Sequence, residues 1–318
     1  MKKYYPLFIP TLCRYKHLKR CIESLSNCYR ADEIDCYIAL DYPLKESHKE
    51  GYNQICNYLE NANLSFHKTV IVKREKNYGA IRNYSEMKNY IQRNYDEYIF
   101  SEDDNEFSPA FLDYIISGLE IYKDNPSVIA ISGFSLPSYH KYVKDSTFFM
   151  HGFNAWGYAT WNRKEQELLN HGDSYYQNIL SSPSLLFKLF VKSPISVGAL
   201  AEMYLKKQSW TDYKWSIYAM MENKLQLRPA VSLVRNWGFD GSGEHCGNNC
   251  GIEKYPISPS TKFDMNPSIP ICANAKIVKL SKYDCFSHRP LSFMKQLVKI
   301  IIYPLAWNIK NITNKNKL

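Results

Sequence analysis

The strongest chemical signal in the chain is a run of three acids. Tyr98-Ile-Phe-Ser-Glu-Asp-Asp-Asn105 carries an apolar stretch directly into Glu102, Asp103 and Asp104. Adjacent carboxylates repel one another, and burial raises that cost. At the end of a buried strand such a cluster fits a divalent cation. Oxygen donors suit Mn2+ or Mg2+, which also bind diphosphates. The plain alternative is a solvated acidic turn. Other segments hold residues able to act with these acids. They are Pro10-Thr-Leu-Cys-Arg14, Asp41, Asn77-Tyr-Gly-Ala-Ile-Arg-Asn83, Phe153-Asn-Ala-Trp-Gly-Tyr-Ala-Thr-Trp161, Trp210-Thr-Asp-Tyr-Lys-Trp215 and Asn236-Trp-Gly-Phe-Asp-Gly-Ser-Gly-Glu-His245.

The elements that must position them are legible as hydrophobic patterns. Tyr5–Ile9, Cys36–Asp41, Thr69–Lys73, Tyr98–Ser101 and Val128–Ser132 read as buried strands. His17–Asn27, Lys49–Asn61, Gly79–Asn94 and Ser108–Lys123 read as helices between them, the last with Ser108 as N-cap and Pro109 in its first turn. Alternation of this kind predicts an α/β fold: a mostly parallel sheet flanked by helices. Such sheets bind ligands at the carboxyl ends of their strands. The 318 residues supply one large domain or two smaller ones. The second half is less regular. It offers a helical stretch over Ser184–Lys207 interrupted at Pro194, another over Trp210–Asn223, a loop over Arg235–Gly251 and a surface crossing over Ile257–Ile271.

In their order, the motifs of roughly the first 135 residues resemble the donor-binding half of GT-A (Rossmann-like) glycosyltransferases of the family 2 kind. The Glu-Asp-Asp form is also similar to the acidic motif of N-acetylglucosaminyltransferase I. The resemblance implies a nucleotide-sugar site in which Pro10, Thr11 and Arg14 follow the first strand. Asp41 would contact nucleobase or ribose. Asn77, Gly79 and Arg82 would line the nucleotide pocket, with Arg82 near the diphosphate. Glu102 would stand beside the nucleotide, Asp103 would face ribose and donor sugar, and Asp104 would ligate the metal. The second strand ends in Asp41-Tyr42-Pro43 rather than Asp-Asp-Gly-Ser, a departure that bears on the nucleobase contacts.

The Phe153–Trp161 stretch resembles the Trp-Gly-Trp-Ala-Thr-Trp run of bacterial surface-polysaccharide transferases. A glycine between aromatic rings lets a sugar approach closely while rings cover its apolar face. Trp156 and Gly157 are the expected substrate contacts there, with Trp161 packed inside. Gly133, Phe134 and Trp210 are expected on the same side. In inverting GT-A enzymes a carboxylate at the start of a late helix takes the acceptor's proton. Asp212 holds that place, with Glu202 and Asp173 as fallbacks. His245 resembles the metal ligand supplied by a C-terminal loop, unless the amides of Gly241–Gly243 cradle phosphate instead. The implied activity is transfer of a sugar, with a UDP-sugar the expected donor. The acceptor would be a glycan or lipid-linked oligosaccharide, as in synthesis of lipopolysaccharide or capsule.

Three divisions follow: a nucleotide-sugar half (1–135), an acceptor and catalytic half of the same domain (136–288), and a basic amphipathic tail (289–318). From Pro290 onward it carries five of the nine net positive charges, through Lys295, Lys299, Lys310, Lys315 and Lys317, and has no acid. Mixed with Ile301, Ile302, Leu305 and Trp307, these lysines suit an anionic bilayer surface, or else form a helix packed on the body. No basic reading element points to nucleic acid. Nine irregularly spaced cysteines suit reduced thiols in a cytoplasm. The Cys246 and Cys250 pair beside His245 has no second close pair to complete a zinc site. A nucleotidyltransferase would need a glycine-rich, basic loop after the first strand, and Thr11–Lys16 has no glycine. A non-catalytic carbohydrate-binding protein of this fold is the other rival.

Overall fold

In the computed structural model, which describes residues 2–206, 211–242, 251–284 and 290–315, the first half alternates strand and helix. β1 (Tyr5–Thr11) leads to α1 (Tyr15–Ser26), β2 (Ile34–Leu40) to α2 (Glu46–Asn61), and β3 (Lys68–Lys73) to α3 (Ala80–Asn94). β4 (Glu97–Phe100) runs into the acids, and β5 (Asn105–Phe107), α4 (Phe111–Tyr122) and β6 (Val128–Ser132) follow. β2, β4 and β6 are buried at every residue, as strands covered on both faces must be. α1 turns Leu18, Cys21, Ile22 and Leu25 to the core, the spacing of one helical face.

The second half adds β7 (Thr147–Met150), β8 (Tyr158–Trp161), five helices, β9 (Leu225–Pro229) and β10 (Val234–Asn236). The helices are α5 (Asn162–Leu169), α6 (Gly172–Ser181), α7 (Pro183–Lys192), α8 (Pro194–Leu205) and α9 (Thr211–Met221). α10 (Ala275–Asp284) and α11 (Pro290–Lys315) close the chain. The sheet order is β3-β2-β1-β4-β8-β6-β9-β7. Among the described residues six of these eight strands share one direction, while β7 and β8 run against it. The α/β sheet expected from the sequence is therefore present, mostly parallel and flanked by helices.

One local difference has a physical cause. The start expected at Ser108 moves to Phe111, because the Ser108 amide bonds the Leu233 carbonyl at 2.9 Å. This continues the pairing of β5 with β10 and holds Ser108 extended. The stretch over 184–207 is interrupted ahead of Pro194, as expected, with Ser193 extended there (φ −156°, ψ 98°).

The main core lies on the face of the sheet that packs α1, α2 and α4. α6 to α9 enclose a second core around Leu186, Leu189, Leu200 and Ile217, which Ile300 of α11 joins. α11 is further tied down where Lys310 Nζ donates to the Tyr204 and Leu205 carbonyls at the end of α8. Its other side leaves Ile301, Ile302, Leu305 and Ile309 exposed. No helix among the described residues is long and apolar enough to cross a membrane.

The β5–β10 ribbon sits against two glycines. Gly157 has φ +57°, and a Cβ there would lie 2.7 Å from Phe107 and 2.9 Å from Val234. Gly157→Ala is expected to cost about 2–4 kcal/mol in urea denaturation, from left-handed strain plus overpacking. A loss under about 0.5 kcal/mol would show that the ribbon simply yields.

Candidate functional site

β1 and β4 are neighbours and parallel, so the residues after them share one end of the sheet. Beyond β4 the backbone turns sharply through Glu102, Asp103 and Asp104. Asp103 accepts from the Thr11 hydroxyl at 2.7 Å and from the Arg14 guanidinium. Arg14 also reaches Asp104 Oδ2 at 2.8 Å, so one planar cation bridges two adjacent acids. Asp103 and Asp104 are both buried. Burial and the charge of Asp103 push the Asp104 carboxyl up, with Arg14 and His17 opposing. Glu102 is pushed up to about 8 by burial, then by Asp104, Asp212 and Asp103. Its carboxyl has no hydrogen-bond partner among the described residues.

The mutual influence of Glu102 and Asp212 brings α9 to the cluster. Asp212 is in the first turn of α9, with its side chain exposed to an open cleft. Protein surrounding the cleft nevertheless pushes its carboxyl up to about 6. Three adjacent carboxyls thus stand at the end of β4, with Asp212 near enough to act on Glu102.

A loop following β10 closes one side. Asn236 Nδ2 donates to Asp104 Oδ1 at 2.8 Å, and the Trp237 amide to the Asp104 carbonyl at 2.9 Å. Gly238 passes so close that a Cβ there would be 2.3 Å from Asp104 Oδ2. Asp240 Oδ2 pairs with His17 Nε2 at 2.9 Å. Partial burial acts against ionisation of Asp240, but hydrogen bonds from Ser242 and His17 take its carboxyl down to about 2. The Arg20 guanidinium lies 4.2 Å from the Trp237 ring centre. His17, Arg20 and Asp240 were not singled out in the sequence. The available signal was that α1 begins immediately after Arg14, which turns its first residues toward the same strand ends.

Asp41, at the end of β2, is buried and accepts from the amides of Tyr42, Tyr78 and Gly79 at 2.8–2.9 Å. Asn77 Nδ2 adds a bond to Asp41 Oδ2 at 3.3 Å. The carboxylate thereby fastens the start of α3, where Gly79 takes φ +73°. Arg82 is exposed, near Glu86, with its guanidinium 4.1 Å from the Tyr78 ring centre. Pro10 is partly buried within β1.

Trp156 stands edge-on between two rings, Phe134 at 4.6 Å and Phe239 of the closing loop at 5.8 Å. This joins the Phe153–Trp161 stretch to the loop. Gly133 donates its amide to the Gly157 carbonyl at 2.8 Å, and Trp161 is buried. Asp173 is engaged by Lys214 and Tyr204, and Glu202 by Lys206. Trp210 and His245, together with Gly243, lie outside the described residues.

Hard oxygen donors with excess negative charge fit a divalent cation, and each Asp104 oxygen keeps a second lone pair beyond its bond to Arg14 or Asn236. Among the described residues no three His, Cys, Asp or Glu side chains yet converge as a ready coordination shell.

No family model matches the chain, and no curated protein matches it. Solved structures do share similarity. One is the mannosyltransferase PcManGT from Pyrobaculum calidifontis in complex with GDP-Man and Mn2+, at 10% identity over 99% of this chain and 88% of that one (TM-score 0.39). The glycosyltransferase GlyE of Streptococcus pneumoniae matches at 10% identity over 71% of this chain and 45% of that one (TM-score 0.35). S. aureus TarS in complex with UDP-GlcNAc matches at 15% identity over 41% of this chain and 33% of that one (TM-score 0.29). Across three TarS structures the match spans only 21–34% of their length. Likenesses this distant decide neither activity nor ligand.

If Arg14 neutralises its two partners, Arg14→Met is expected to lower stability by roughly 3 kcal/mol. Glu102→Gln added to Arg14→Met should recover part of that loss by removing a repelling carboxyl. Strict additivity of the two in denaturation at pH 8 would show that these charges do not interact.

Proposed function

We propose that the chain is a metal-dependent glycosyltransferase that moves a hexosyl group from a nucleotide-sugar to a glycan or lipid-linked acceptor with inversion. The observation that carries this reading is the buried Asp103–Asp104 pair at the strand ends, bridged by Arg14, with Glu102 beside them. A surplus of buried carboxyls is costly to keep, and it fits a site built to hold a cation and the anion that cation binds. Asp104 would hold Mn2+ or Mg2+, which supplies charge neutralisation to the departing diphosphate.

The acceptor hydroxyl oxygen forms its bond to the anomeric carbon while the bond from that carbon to the diphosphate oxygen breaks. The electron pair leaves with the nucleoside diphosphate. The hydroxyl proton passes to Asp212, whose raised pKa suits a general base near neutrality. Trp156, held edge-on between Phe134 and Phe239, would supply the ring on which a sugar rests. Asp41, Asn77, Gly79 and Arg82 form the nucleotide side, and the setting is bacterial surface-polysaccharide synthesis at the inner face of the plasma membrane. The exposed apolar side of α11 supports the peripheral placement.

Asp212→Asn should lower kcat at least a hundredfold without lowering Tm at pH 8. Ionising this raised carboxyl opposes folding as pH rises from the ordinary aspartate value to about 6. The wild-type rate should fall as pH drops through about 6, where the base becomes protonated. Near-normal turnover by Asp212→Asn rules out the base assignment. Donor turnover that is equal in excess EDTA and in Mn2+ rules out the metal. In flotation with phosphatidylglycerol vesicles the full chain should rise with the lipid. Replacing Ile301 and Leu305 with Glu should leave it in the aqueous fraction, and unchanged flotation of that variant removes α11 from the membrane.

A further inference from the structure

A cavity of about 290 Å3 takes no part in the chemistry above. Its walls come from Leu136 and Tyr139, the turn after β7, the break between α7 and α8, one side of α9, Arg228 of β9, and Val278 and Ser281 of α10. Three bases line it, His151, Lys192 and Arg228, and among the described residues no Asp or Glu does.

Arg228 is the unusual member. Its residue is 6% exposed. Nε donates to Gln226 Oε1 at 3.1 Å, and Gln226 is fixed in turn by the Asn154 backbone. Among the described residues the two terminal guanidinium nitrogens have no hydrogen-bond or carboxylate partner. Burial takes the group down to about 10. Other enclosed cations in this protein are satisfied. Lys164 donates to three carbonyls, Lys88 meets Glu165 and Arg14 meets two aspartates. An enclosed cation facing a cavity without a counter-ion is costly unless an anion arrives.

The start of α8, a 12-residue helix, adds to the same wall through Ser193 and Ser196. Its dipole is positive at that end. Ile195 is on the cavity wall and 48% exposed, and Val191 and Phe187 of α7 are also exposed. The opening therefore meets apolar surface.

We propose that this cavity is a binding site for a phosphoryl group, held by Arg228 and the start of α8. The source is either free phosphate or a phosphate carried on an apolar chain lying past Ile195. The site requires nothing of the acidic cluster, so it stands or falls independently of the transferase reading.

The test is thermal melting of the full chain at fixed ionic strength with inorganic phosphate and, separately, dihexanoyl phosphatidic acid below its micelle concentration. Dihexanoyl phosphatidylcholine controls for the apolar part. Both phosphate probes should raise Tm. A larger shift with phosphatidic acid identifies the carried source, and equal shifts identify the free one. Arg228→Met should weaken either effect at least tenfold. It should itself melt no lower than wild type, since an uncompensated buried charge is removed. No shift with either probe, or equal shifts in wild type and variant, overturns the site. If the variant does not fold, wild-type crystals soaked in tungstate decide. Density against the Arg228 guanidinium supports the site, and density elsewhere only overturns it.

Discussion

Arg14 makes the acidic corner tolerable. Asp103 and Asp104 are adjacent in sequence and enclosed, and without a cation between them at least one would have to remain protonated. A guanidinium meets this need better than an ammonium, because its flat fork contacts two carboxylates at once. That demand constrains much of its surroundings. Thr11 and Arg14 must leave β1 at the level where β4 ends, which the parallel pairing of those strands ensures. α1 must begin immediately, which brings His17 alongside.

Arg14 does not neutralise the whole corner. Glu102 and Asp212 add charge that no described side chain offsets. The protein tolerates this through depressed ionisation of Glu102 rather than through a further ion pair. Among its described residues the closing loop adds dipoles and the His17–Asp240 pair. The corner therefore favours positive charge beside its carboxylates. Arg228 presents the opposite case, a cation without an anion, on a different wall of α9.

The strands and helices of the first half were legible because buried parallel strands read as unbroken apolar runs and the helices between them keep one apolar face. The acids of Glu102–Asp104 were legible because charge directly after such a run has few structural uses. β7, β8 and β9 were harder to see. Phe148–Trp161 is so rich in aromatics that two strands and their connecting turn look like one block. The pairing of Asp41 with the amides of residues 77–79 was also hidden, since sequence shows that an acid ends a strand but not which amides it faces. His17 carries no motif of its own. Its role depends on Asp240, more than two hundred positions away. Arg228 carried no signal of its own in the sequence, because only the fold encloses it.

The place of β8 in the sheet bears on how the chain acquires its structure during synthesis. β4 and β6 both belong to the first 135 residues, yet they are joined only through β8, which lies between them and opposite in direction. A nascent chain that has emerged only as far as Ser132 has no partner for β6 and an open edge on β4. The sheet cannot become continuous until Tyr158–Trp161 leaves the ribosome. The first 135 residues, expressed alone, would keep that raw edge and tend to self-associate.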